Sequence, residues 1–220
     1  MQPKSVTITG TGSVSGGLYQ RVNILGEAEL FGDIQCESFK CTGNSHSKGS
    51  MTARKYRLQG EASISGDLKA VELTSLGQID VEGAVRGGKM TVRGQLSAGG
   101  SCEADRLTVK GAVSVGGLLS AEQLDISLYG PSEAKEIGVG TISVKRKAIQ
   151  TIKQWFTPQG AAELRAGTIE GDTIYLEHTT ADVVRGNRVE LGPGCKIGLV
   201  EYRDVLKKSG SAAVGSELKV

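Results

Sequence analysis

Glycine recurs at two fixed places in each of seven successive units of 16 or 17 residues, and nothing else in the 220-residue chain limits its fold so tightly. The units begin at Val6, Val22, Phe39, Tyr56, Leu73, Met90 and Leu107. The fifth place is Gly10, Gly26, Gly43, Gly60, Gly77, Gly94 and Gly111, and the eleventh is Gly16, Gly32, Gly49, Gly66, Gly83, Gly100 and Gly117. Apolar residues hold the first place throughout and also the thirteenth, which runs Leu18, Ile34, Met51, Leu68, Val85, Cys102 and Leu119. Each unit therefore reads as three short alternating stretches separated by glycine corners. Alternation with period two sends one set of side chains inward and the other to solvent, and glycine tolerates the positive φ of a sharp corner.

A helix is excluded, because the apolar spacing is two rather than 3.6 and a glycine every six residues would destabilise a helix by about 1 kcal/mol at each. An antiparallel sandwich would not hold one register through seven units. The pattern predicts triangular coils stacked as parallel strands roughly 4.8 Å apart, a parallel β-helix or β-solenoid. With 32 glycines and aromatics at 4%, the core is expected to be stacked small aliphatic side chains.

The expected organisation has four parts. The seven coils fill 1–126, and 127–163 follows no register, because Leu128 stands where the next corner glycine is due; this part reads as an insertion or cap. It holds the basic Lys145-Arg146-Lys147 and the pair Trp155-Phe156, expected to plug the end of the coils. Alternation returns over 164–206 in Ile169-Glu170-Gly171-Asp172, Val183-Val184-Arg185-Gly186 and Val189-Glu190-Leu191-Gly192, a second β-helical block. The Ser/Gly/Ala-rich 207–220 reads as a flexible tail.

Chemistry is sparse. A net charge of +2 names no nucleic-acid partner, and a start with no apolar segment predicts a cytoplasmic protein. Cys36, Cys41 and Cys102 fall on inward places and, like Cys195, lie outside any CxxC, so they read as buried reduced thiols rather than metal ligands. The twelfth place carries Asp33 and Asp67 two coils apart, without the carboxylate column a metal or a proton-abstracting lyase needs. An acyltransferase built on left-handed hexapeptide coils is the rival enzyme, imitated by Leu191-Gly192-Pro193-Gly194-Cys195-Lys196. Such an enzyme needs a histidine base, and the two present, His46 and His178, read as solvated surface residues. No catalytic, cofactor or metal residue is assigned.

With the seven coils and the strings I-E-G-D, V-V-R-G and C-K-I-G-L-V-E-Y in view, the chain resembles the bactofilins, polymer-forming bacterial cytoskeletal proteins, and within them a Gram-positive subgroup with a second β-helical block. The resemblance implies a right-handed parallel β-helix and nucleotide-independent filaments joined end to end, with the chain itself as principal partner. It also implies roles in cell shape, envelope organisation or motility, alongside envelope or motility proteins, in the cytoplasm or at the inner face of the membrane. Physical reasoning leads the same way, since a solenoid ends in unpaired strand edges that template another chain. Val6 and Ile8 at the front, and Ile197, Leu199 and Val200 at the rear, are the expected polymer interface. A β-helical binding module that does not polymerise is the further alternative.

Overall fold

The computed structural model describes residues 3–146 and 162–220. It is all-β, a parallel β-solenoid with coils of about seventeen residues, and it falls into two units, Met1–Arg106 and Leu107–Val220.

In the first unit β1 (Lys4–Ser47) winds through more than two coils and is followed by β2 (Met51–Ile64), β3 (Leu68–Val81) and β4 (Val85–Ala98). Each strand pairs in parallel with the one before it, seventeen residues back, as in Met51 on Ile34, Leu68 on Met51 and Val85 on Leu68. The interior consists of six columns of like residues. One runs Ile34, Met51, Leu68, Val85 and Cys102, each at most 1% exposed, and beside it a column of small residues holds Cys36, Ala53 and Ala70. Phe39 and Tyr56, one coil apart, stack with ring centroids 4.8 Å apart.

The two glycine columns have different causes. At the fifth place φ is positive from Gly10 to Gly111, between +85° and +153°. A Cβ at Gly26, Gly43, Gly60, Gly77 or Gly94 would also overlap the carbonyl oxygen of the glycine one coil back. At the eleventh place only Gly32 has a positive φ, of 80°. Gly49, Gly66 and Gly83 are needed there because a Cβ would strike the backbone of the preceding coil, as at Gly66, where it would lie 2.7 Å from Ser50 N, and at Gly100 it would press on the Gly83 carbonyl oxygen at 3.1 Å. The expected positive φ is thus the rule at one corner, and close backbone approach governs the other.

The first coil departs from the repeat. Leu18, expected inward, is 66% exposed, and Tyr19 is buried instead, its hydroxyl donating to the Ser15 carbonyl at 2.7 Å. This coil is one residue short and its positive φ falls on Gly17 rather than Gly16, which moves the alternation on by one.

The boundary between the units falls within β5 (Cys102–Leu128), and in the second unit β6 (Ser132–Arg146), β7 (Leu164–Leu176), β8 (Thr179–Leu191), β9 (Lys196–Lys208) and β10 (Ala213–Lys219) follow in parallel order. Two expectations are corrected here. The coils do not stop at Ile126: Leu128 is buried, and β6 pairs with β5 as Leu119 on Ile137 and Leu124 on Ile142. Register was lost to the eye because the spacing lengthens to eighteen residues, with a shift between Val115 and Leu118. Nor is 207–220 a loose tail, since β10 lies on β9 with Val214 against Ile197. The rest of the expected insertion, including Lys147 and the Trp155-Phe156 plug, lies in 147–161, outside the described residues.

Candidate assembly surfaces

A coil inside the stack has a neighbour on each side, whereas β1 opens and β10 closes the strand order. Gly10 marks the front: it would meet nothing within 4 Å if given a Cβ, unlike Gly26, Gly43, Gly60, Gly77 and Gly94, because no described coil precedes it. The same coil carries Val6 and Ile8 on inward places, and both are only half-buried, where their counterparts one coil on, Val22 and Ile24, are at most 1% exposed. Val14 and Tyr19 complete its interior side. The front is therefore an apolar, incompletely covered coil whose parallel edge has no described neighbour.

The rear differs from expectation. Ile197 and Val200 are 3% and 0% exposed, and Leu199 is half-buried, because β10 covers them: Val214 lies on Ile197, Ser216 on Leu199 and Glu217 on Val200. The rear edge is β10 itself, with Leu218 49% and Val220 65% exposed. Sequence reasoning missed it because Ser209-Gly210-Ser211-Ala212 has the composition of a linker. The alternating Val214, Ser216 and Leu218 after it was the available signal.

Side chains with potential chemistry serve packing and corners. Cys36, Cys41, Cys102 and Cys195 are all buried. Burial pushes the Cys36 thiol up to about 11, helped by the Glu37 charge, and the Cys102 thiol up to about 12. Cys41 and Cys195 are raised by burial too, and the Cys195 thiol donates to the Leu176 carbonyl at 3.1 Å. Raised thiols are poor nucleophiles and poor metal ligands at neutral pH. Among the described residues no group of His, Cys, Asp and Glu could hold a metal ion. His46 is exposed and hydrogen-bonded to Ser63 one coil on. His178 occupies a corner with φ of 45°, where a Cβ on Gly194 would press on its ring, so the Leu191–Gly194 string is corner geometry.

Asp33 and Asp67 have a structural task unread in the sequence. Asp33 Oδ1 accepts from Ser50 N at 2.8 Å, Ser50 Oγ from Asp67 N at 3.1 Å, and Asp67 Oδ1 from Ala84 N at 2.8 Å. Each of these three twelfth-place side chains thus holds the corner of the next coil. In the second unit a groove of about 530 Å³ runs over Gly138, Gly171 and Gly186. Four of its polar groups are matched in pairs: Arg185 pairs with Glu201, and Asn187 donates to Asp172 at 2.9 Å. The Glu201 hydrogen bond and charge raise the Arg185 guanidinium further above its ordinary value.

Two proteins of Bacillus subtilis (strain 168) are similar to this chain. The one named Uncharacterized protein YhbE is 52% identical over 236 aligned positions that take in 99% of this chain and 98% of the relative. The one named Uncharacterized protein YhbF is 49% identical over 71 residues, 32% of this chain, which spans only 28% of that relative's length. No family model matches the chain, and no solved structure matches it.

Proposed function

The chain belongs to the family of YhbE, and for this member of it we propose a non-enzymatic scaffold that works by adding copies of itself at open coil edges, in the manner of the bactofilins it resembles. The observation that carries this reading is the first coil. Its strand edge is free of any described neighbour, and Val6 and Ile8 stand half-covered on places that are fully covered one coil further on. An exposed parallel edge offers a row of main-chain donors and acceptors, and strand addition there joins hydrogen bonding to apolar burial without nucleotide or metal. The assembly would serve as a framework for cell shape, envelope organisation or motility.

A charge set into that edge should block addition without unfolding the coils behind it. In sedimentation without ATP, GTP or metal, the parent is expected as an assembly of at least two copies, and Ile8→Lys at matched concentration as a single copy with an unchanged β-type circular dichroism spectrum. A parent that sediments as a single copy at high concentration would overturn the reading and favour a β-helical binding module. Val200→Lys cannot serve this purpose, because Val200 is fully buried under Glu217 and its substitution would attack the core.

A further inference from the structure

The last coil breaks the interior pattern of the second unit in a way the first coil does not break that of its own. One interior column runs Ile137, Ile169, Val184 and Val200, each at most 1% exposed, and its next member is Glu217. A second runs Val144, Leu176 and Leu191, equally buried, and its next member is Lys208. The two charged residues that end these columns are ion-paired with each other, and their side chains remain 39% and 37% exposed. The interior places of the front coil hold Val6, Ile8, Val14 and Tyr19, with no charge among them.

We propose that the Lys208–Glu217 pair closes the rear edge against strand addition, so that the surface by which this chain meets a second copy of itself is the first coil. The inference rests on the self-assembly reading and assigns it to one end. A coil laid on β10 would take both ions out of water while adding no new hydrogen-bonding partner for them, and desolvating an ion pair opposes association. Inward-pointing charge is also a recognised means of protecting a sheet edge. Of the end-to-end modes, only front to front leaves the pair in solvent, and it joins two copies.

The test uses the full chain in four forms: the parent, Ile8→Lys, Lys208→Leu/Glu217→Leu, and all three substitutions together. The leucines continue their columns, so both leucine-bearing chains should fold and melt no lower than their counterparts. If they do not, Lys208→Met/Glu217→Gln takes their place. Measured by sedimentation, Ile8→Lys is expected to stay a single copy, while the triple variant regains association through the rear, at a concentration about tenfold or more below any at which Ile8→Lys associates. A triple variant as inert as Ile8→Lys overturns the closed rear and leaves self-assembly through the front standing. An Ile8→Lys chain that assembles like the parent overturns it too, because the rear would then already be open. If the parent itself is a single copy, the self-assembly reading fails. The closed rear is then judged alone, supported if the double variant associates and overturned if it does not.

Discussion

Gly60 and Gly10 occupy the same place in the repeat and answer to different forces. Both have positive φ, of 131° and 85°, which disfavours any residue with a Cβ. At Gly60 an added Cβ would also overlap the Gly43 carbonyl oxygen, while at Gly10 it would meet nothing within 4 Å. Gly10→Ala should therefore lower stability by about 1 kcal/mol, the conformational part alone. Gly60→Ala adds a backbone displacement and should lower it by on the order of 3 kcal/mol. Chemical denaturation of the two variants measures the difference, and equal losses would mean that coil-to-coil contact contributes nothing at this corner. The glycine period was legible in the sequence, but its division into a conformational and a contact column was not. Spacing reports only that a side chain is excluded, and not whether φ or a neighbouring coil excludes it.

Among elements, the stack β2–β3–β4 shows how tightly a column constrains its members. Ser75 lies between Leu58 and Val92 in adjacent coils, is 1% exposed, and its hydroxyl has no hydrogen-bond partner among the described residues. An unmatched buried hydroxyl is destabilising, so Ser75→Ala is expected to stabilise by about 1 kcal/mol, seen as a higher denaturant midpoint at unchanged m-value. A lower midpoint would show that the hydroxyl has a partner. Strands of this kind were readable wherever glycine kept the register. β6 escaped because Leu128 replaces a corner glycine and the spacing stretches across a register shift. β10 escaped because a Ser/Gly/Ala approach disguised a strand, and with it the charged ends of two interior columns, which become visible only once Glu217 is seen to lie on Val200.

For the molecule as a whole, the buried ionisable groups fix how stability responds to alkali. Thiols ordinarily ionise near 9.0, while in the folded chain Cys36 is raised to about 11 and Cys102 to about 12. Above pH 9 the unfolded chain releases these protons and the folded chain holds them, so the unfolded state is progressively favoured. The sign follows: the contribution is complete below pH 9 and is lost as pH rises through 11 to 12. Unfolding free energies from urea titrations at pH 8 and pH 10.5 should fall for the parent, by about 1.4 kcal/mol per pH unit above pH 9 for each such thiol. They should fall less steeply for Cys102→Ala, and an identical slope in the variant would place Cys102 outside the interior.

The relay from Asp33 through Ser50 and Asp67 to Ala84 joins each coil to its successor by a bond that spans a fixed count of seventeen residues. A chain built this way resists small edits to its gene and tolerates large ones. Losing a single codon between two such corners shifts every later partner off its mark, while duplicating or deleting one complete turn returns each residue to an equivalent neighbour. Descendants of this sequence should therefore differ in length along this stretch by whole turns, much as a spiral staircase can be lengthened only by complete treads.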